Sequence, residues 1–416
     1  MSDDKQTPLG ALVMAGQGQT EAEAITDTIF MVKDISNAYL VTTADGDLLV
    51  NTGFIGNGER NKALFAPHRT GPLRRAIFTQ AHADHYGALP GLIEDGTEVI
   101  GGDGFTETCD FFDRLAPFLA RRSGKLWASM TRRGGPPPVP PVVVPDITTA
   151  DTYAFEQGGR RFEVVKTPGG ETLCSAFVWM PDERTVFTGN LFGPVWRAMP
   201  NLVTIRGDRP RLARAYLRSV EQVRALEPEL VITGHGEPVR GAANIRADLD
   251  TMHAAVSWLE RETIAGMNAG KTVQELMQTI TLPDALKIGE FHGKTSWVVR
   301  AIWEENAGWF HYEDGTTALF GSARSAVDAD LAELAGSAAL IERARAHTEQ
   351  GRPLEALHLL DIVLAVEPAN MDALTIKKAA LEQLVAASSG SNLSETMWLK
   401  AEIADADGRL AANQGG

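Results

Sequence analysis

The chain has 416 residues, 44% hydrophobic and 22% charged, a composition that excludes disordered, collagenous and fibrous classes and leaves room for two folded domains. Lys plus Arg number 39 against 54 Asp plus Glu, a net charge of −15, which argues against nucleic acid as the main partner because phosphate binding needs a basic face. The two cysteines, Cys109 and Cys174, cannot build a disulfide framework and read as free thiols. The N-terminus carries no signal pattern, and no run approaches the roughly 20 apolar residues that cross a bilayer, so a cytoplasmic protein without a membrane span is expected.

Residues 1–24 are polar and small and read as an N-terminal arm. Thr28–Lys33, Ala38–Thr43 and Asp47–Asn51 read as strands, the last two forming a hairpin across Ala44–Gly46. Arg74–Thr79 is a short buried strand that feeds a His-rich loop, after which residues 86–95 read as a helix. Residues 104–128 have helical character, whereas the proline-rich run 134–145 cannot be helix. That run reads as a rigid loop over a pocket, with a partner-binding polyproline stretch as the alternative. Strands resume at Arg161–Lys166, Ala176–Met180, Thr185–Thr188 and Glu229–Thr233, with a helix over Arg209–Leu226. Strands throughout residues 25–235 with helices between them predict an α/β layered domain. From about residue 238 the pattern is almost wholly helical. Trp297, Trp303, Trp309 and Phe310 recur at roughly helical spacing and read as core. Residues 335–385 predict paired helices, with Gly351, Ala356 and Pro368 at the offsets of a tetratricopeptide-type unit. A single such unit suits docking or dimerisation better than a peptide groove.

The most informative stretch is Thr79–Gly87, TQAHADHYG. It places His82, Asp84 and His85 just after a strand, and imidazole and carboxylate are good zinc ligands that a strand-end loop can direct toward one point. Neither a helix face nor solvation explains three such residues within four positions.

This segment resembles the HxHxDH signature loop of the metallo-β-lactamase superfamily. Other marks follow in order: NTG at 51–53 resembles DTG, TPGGET at 167–172 resembles TPGH, TGN at 188–190 resembles TGD, and ITGHG at 232–236 resembles the closing strand with its histidine. Within the superfamily the chain most resembles the zinc-dependent (class III) alkyl sulfatases. Glu171 stands where that family carries a glutamate in place of a histidine. LVTIRG at 202–207 resembles LYTLRG, and residues 295–315 resemble the HNxxAVYxxYLGWFDGNP region. Residues 335–410 resemble its dimerisation domain. The resemblance implies a metallo-β-lactamase αββα sandwich within residues 25–325, followed by an all-helical, TPR-like dimerisation domain over 326–416. It ends before that family's C-terminal lipid-carrier-like domain, from which a small or medium substrate is expected.

Three positions depart from the pattern. Gln80 replaces the first histidine of the signature, Asn190 replaces a bridging carboxylate, and Asn51 replaces the aspartate of DTG. Carried over, the resemblance implies one metal position formed by Gln80, His82 and Glu171, with Asn190 at the bridge. The other is formed by Asp84, His85 and His235, and only this set is complete. An amide is a weaker zinc ligand than imidazole, and two dications about 3.5–4 Å apart repel and rely on a shared carboxylate. One Zn²⁺ or a weakened pair per chain both stay open, with manganese or iron as alternatives because oxygen ligands are numerous.

The function implied is a metal-dependent hydrolase that uses a zinc-activated water on a small or medium, partly apolar sulfate ester or related ester, amide or lactone. Asp84 holds the water and moves its proton, and Arg206 neutralises developing negative charge. Tyr86 and Ser296 are further candidates for substrate contact, although Ser296 and Trp297 stand where the family has a HisAsn pair. His292 and His311 read as structural. An iron-dependent oxidoreductase on the same fold and a catalytically decayed dimeric scaffold are the alternatives. A homodimer is expected.

Overall fold

The computed structural model describes residues 7–131 and 139–414. They fall into two compact units: the first takes the chain up to Arg122 and again from Met130 to Glu305, the second takes Ser123–Ser129 and the chain from Asn306. The sequence reading places its own boundary at 325/326. Of the proline run, residues 134–138 lie outside the described residues; from Val139 the chain runs without helix or strand as far as Ile147.

Among the described residues the first unit holds thirteen strands in two sheets. One contains β1 (Glu23–Thr26), β2 (Ile29–Val32), β3 (Ala38–Thr43), β4 (Gly46–Val50), β5 (Leu73–Phe78), β6 (Glu98–Gly102) and β7 (Ile147–Thr149), side by side in that order. The other contains β8 (Thr152–Gln157), β9 (Arg160–Lys166), β10 (Ala176–Met180), β11 (Thr185–Gly189), β12 (Leu230–Thr233) and β13 (Val239–Arg240). β1 to β4 and β8 to β11 pair antiparallel, while β4 to β7 and the β11–β12 pair run parallel.

Period-two alternation explains the layering. Tyr39, Val41, Leu48, Val50 and Ile77 meet Ala176, Val178, Met180, Phe187 and Ile232 in a core between the sheets. The intervening residues Leu40, Leu49, Ala76 and Phe78 face Leu64, Phe65 and Phe105, which the helices Gly58–Phe65 and Phe105–Arg114 supply. On the far side, Phe177, Trp179, Val186 and Val231 pack against the helices Ala213–Ala225, Ala242–Asn268 and Thr295–Ala307. Four layers result, an αββα sandwich.

The N-terminal arm docks through Pro8–Met14, a helix capped by Thr7, with Leu9 only 2% exposed. Several local expectations are corrected. Residues 86–95 do not form a helix, because Gly87, Pro90 and Gly91 leave only the short turn Leu89–Gly91. The helix placed at Arg209–Leu226 begins at Ala213, since Pro210 stops earlier residues from joining it. β1, β6, β7, β8 and β13 went unread. Trp303 is buried as expected, but Trp309 is 77% exposed, lying past the end of its helix at Ala307.

The second unit is helical. Ser337–Glu349, Pro353–Val366 and Met371–Ala387 pack through Ile341, Ala344, Ala356, Leu360, Val363, Leu374 and Ala380. Ala356, at the tetratricopeptide offset, is fully buried, which is where a small side chain lets helices approach. Gly351 takes a positive φ of 70° in the turn before Pro353, and the Asn370 side chain caps the third helix. No described helix is long and apolar enough to cross a membrane.

One polar cluster ties the frame to the loop after β4. The buried Asp34 carboxylate accepts the Ile35 and Phe54 N–H groups and the Asn57 and Asn61 amides. Asn61 also donates to the Thr52 carbonyl, and the Thr52 N–H donates to the His85 carbonyl at 2.7 Å. Asp34→Ala strands these buried donors and is expected to cost about 3 kcal/mol, within the range for lost charge-assisted hydrogen bonds. An unchanged midpoint of urea unfolding would contradict that role.

Candidate metal centre

Strand ends from both sheets converge on one point. Gln80 and His82 follow β5, Glu171 follows β9, Asn190 follows β11 and His235 follows β12. Ligands collect at such carboxyl ends because side chains there leave the strand without interrupting the sheet. Asp84 and His85 lie in the single turn Ala83–Tyr86 that directly follows, not in the open loop expected.

Asp84, His85 and His235 each offer a ligand atom, and these atoms lie within 4.8 Å of one another. His85 Nε2 is 3.7 Å and His235 Nε2 is 3.9 Å from Asp84 Oδ2. Burial pushes the His85 imidazole down to about 4 and lowers His235 as well, so both rings are neutral near pH 7 with a lone pair to offer. Burial alone would raise Asp84, but the neighbouring imidazoles and the Arg206 guanidinium prevail and hold its carboxyl below the ordinary value. Asn190 Oδ1 is a buried acceptor without a hydrogen-bond partner, and an ideal Cβ on Gly234 would lie 2.1 Å from it and 3.0 Å from His85 Cε1. A carboxylate, two neutral imidazoles and an orphaned oxygen suit one divalent cation. Ser36 Oγ donates to the Gly234 carbonyl and sits 3.1 Å from both His85 ring nitrogens, fixing the ring.

The other set is organised differently. Glu171 Oε2 receives the Asn190 amide at 3.1 Å and the Gln80 amide at 3.5 Å, and it lies 3.5 Å from His82 Nδ1. His82 Nε2 is 3.2 Å from Asp208 Oδ2. Arg211 contacts both acids, through Nη1 to Glu171 Oε1 at 3.3 Å and Nη2 to Asp208 Oδ2 at 3.2 Å. Burial opposes a charge on His82, but its bonds to Asp208 and Glu171 raise its pKa, the reverse of His85. Burial likewise opposes a charge on Glu171, yet Arg211 and His82 hold it well below the ordinary carboxylate range, and His82 and the arginines bring Asp208 to about 2. Gln80, His82, Glu171 and Asn190 are therefore brought together as the sequence implied, but as partners in a protein-internal network.

Arg206 lies at the edge of the cluster, its Nη2 3.7 Å from Asp208 Oδ2, with its carbonyl accepting from Arg122. Tyr86 is buried against Phe78 and Phe105, where its ring fills the apolar layer. Ser296 is half-buried in the first turn of the helix Thr295–Ala307. The neighbouring histidine joins the cluster instead, since His292 Nε2 is 2.9 Å from the Asn201 amide and the Asn201 carbonyl accepts from Arg211. Sequence reasoning missed Asp208 and Arg211. The signal available was the dense charge of Gly207–Arg211, GDRPR, directly after the LVTIRG segment.

A model of the metallo-beta-lactamase superfamily matches residues 31–235, and one of the alkyl sulfatase dimerisation region matches residues 272–403. Residues 31–235 are thus a metallo-beta-lactamase superfamily domain and residues 272–403 an alkyl sulfatase dimerisation region, and the superfamily match implies a divalent metal. It is 22% identical to the alkyl/aryl-sulfatase BDS1 of Saccharomyces cerevisiae, over 86% of this chain and 60% of the relative. It is 24% identical to an (R)-specific secondary-alkylsulfatase from Pseudomonas sp., over 84% of this chain and 57% of the relative. The solved structure of a stereoselective inverting sec-alkylsulfatase from Pseudomonas sp. matches with a TM-score of 0.80 at 22% identity, covering 95% of this chain and 66% of that one, a likeness of fold. The chain spans about 60% of the length of the curated relatives it matches.

Burial, aided by Arg206 and Arg211 and opposed by Glu171, pushes His292 from its ordinary 6.5 down to about 3. An unfolded imidazole titrates near 6.5, so as pH falls the unfolded state takes the proton first. The stability that neutral His292 contributes is present above pH 6.5 and is lost on acidification toward 3. His292→Asn is expected to show a shallower fall in melting temperature between pH 7 and pH 4 than the parent. Parallel curves would remove His292 as a contributor.

Proposed function

We propose that the chain is a zinc-dependent hydrolase of small or medium, partly apolar sulfate esters. The observation that carries the reading is the Asp84/His85/His235 cluster with the Arg206 guanidinium close enough to lower Asp84. A divalent cation held by those three residues would supply Lewis acidity and make water a competent nucleophile near neutral pH. Asp84, held ionised, accepts the proton from water and returns it to the departing alcohol, so that ester plus water gives alcohol plus inorganic sulfate. Arg206, partly exposed, presents a planar fork of donors to the anionic head and neutralises charge that builds during cleavage.

The apolar part of the substrate has a wall available. Phe112 packs edge-on to His82 with ring centroids 5.4 Å apart, and Phe111 lies beneath Arg209 at 4.8 Å. Both belong to the helix Phe105–Arg114, so an alkyl or aryl group would meet rings while its head meets guanidinium. The matched sulfatase regions support sulfate over a carboxylic or phosphate ester.

The dimerisation match supports a homodimer. Trp309, Tyr312, Phe320 and Leu334 of the second unit are each more than three-quarters exposed, the kind of apolar surface a second copy covers. Cys109 and Cys174 are both free, which suits a reducing, cytoplasmic compartment.

Zinc-reconstituted protein offered alkyl sulfates of graded length, with carboxylic and phosphate esters beside them, is expected to release sulfate from the short and medium members. His85→Ala and His235→Ala should lose both metal and turnover. Arg206→Ala should lower kcat/KM by about 10²-fold, the order found when one charge-stabilising donor is removed. Turnover of a carboxylic ester or lactone with no sulfate release would replace the sulfatase reading.

A further inference from the structure

The residues at the second metal position do not fit a cation. A metal needs oxygen or nitrogen lone pairs aimed at one point, and the groups here aim hydrogens. Gln80 turns its NH₂ group to His82 Nδ1 at 3.0 Å and Glu171 Oε2 at 3.5 Å, Asn190 turns its own to Glu171 Oε2 at 3.1 Å and His235 Nε2 at 3.2 Å, and Arg211 occupies Glu171 Oε1. Arg211 is nearly closed to solvent, with its side chain 6% exposed, and every contact it makes is to an acceptor. Its Nε donates to the Glu171 carbonyl at 3.0 Å, Nη1 to the Asn201 carbonyl at 2.6 Å, and Nη2 to Asp208 at 3.2 Å.

We propose that the Arg211 guanidinium takes the place of the second metal ion, so that each chain binds one divalent cation, at Asp84, His85 and His235. The inference rests on the reading of those three residues as a metal site. Two buried carboxylates, Glu171 and Asp208, demand compensating positive charge, because an unpaired buried anion is costly. A guanidinium meets that demand permanently, since it does not lose its proton, and its planar fork reaches both acids at once. A dication added beside it would meet like charge and amide hydrogens in a buried site. Asp208 also lies 3.7 Å from Arg206 Nη2, so Arg211 is a positioning residue for the arginine at the mouth of the site.

The test is metal stoichiometry on the full chain. Metal-stripped parent protein titrated with Zn²⁺ calorimetrically, then analysed for metal after gel filtration, should bind one equivalent. Two equivalents at micromolar zinc would overturn the proposal, and none would overturn the metal-site reading beneath it. A second comparison isolates the arginine from simple ligand loss. Gln80→His with Asn190→Asp restores an imidazole and a carboxylate but keeps Arg211, and it should still bind one equivalent. Adding Arg211→Met to that pair should raise the count to two. A count of two with Arg211 in place, or of one in a folded triple variant, refutes the substitution of guanidinium for metal. If the triple variant does not fold, the parent and double-variant counts still decide.

Discussion

Everything at this site depends on how closely two sheets approach at their carboxyl ends. Gly189 ends β11 with a positive φ of 53°, and an ideal Cβ there would lie 2.2 Å from Thr79 Oγ1, at the end of β5 in the other sheet. Any side chain would force the sheets apart and separate the residues that follow. Thr79 is held from its own side as well, since its N–H donates to Asn51 Oδ1 and the Asn51 amide donates to its hydroxyl. Asn51 itself takes a positive φ of 55°, a conformation asparagine tolerates better than most residues. Gly234 makes the second close approach, against Asn190 and His85. Backbone that lacks side chains at two points lets four strand ends meet at one site.

Within that space, burial acts oppositely on neighbouring histidines. Asp84 stays 3.7 Å from His85 and 3.9 Å from His235, too far for a hydrogen bond, so desolvation wins and leaves neutral rings. His82 lies between Glu171 and Asp208, so its hydrogen bonds outweigh desolvation and favour the proton. One signature loop therefore supplies two kinds of imidazole a few residues apart, and their surroundings decide which kind binds a cation.

Much of this was legible in the sequence. The short, largely apolar strands β3, β4, β10 and β11 were readable because each buries one face between the sheets and the other under helices. β6 and β8 escaped, since Glu98–Gly102 ends in glycines and Thr152–Gln157 alternates at the sheet edge with Glu156 and Gln157. Asp84 and His85 were readable from ligand density, and His235 from the resemblance of ITGHG to the superfamily's closing strand. Tyr86 was not, because sequence adjacency to a ligand says nothing about which way one helical turn points the next residue. Arg211 and Asp208 were unreadable for a deeper reason. Their partners Glu171 and His82 lie about 40 and 126 residues away, and pairings of that range are set by topology.

The amides at 51, 80 and 190 gain a common meaning from this arrangement. Each stands where the resembling family carries an acid or an imidazole, and each now donates hydrogens: Asn51 to Thr79, Gln80 and Asn190 to Glu171. With an acid at 190, Glu171 would face a like charge a few ångströms away, with one guanidinium to offset both. With an imidazole at 80, a lone pair or a second proton would compete with His82 for the same oxygen. The amide is the side chain that supplies donors without adding charge. Its use at 80 and 190 beside an internal arginine is coherent as a set, which argues for a rebuilt site rather than one worn down position by position.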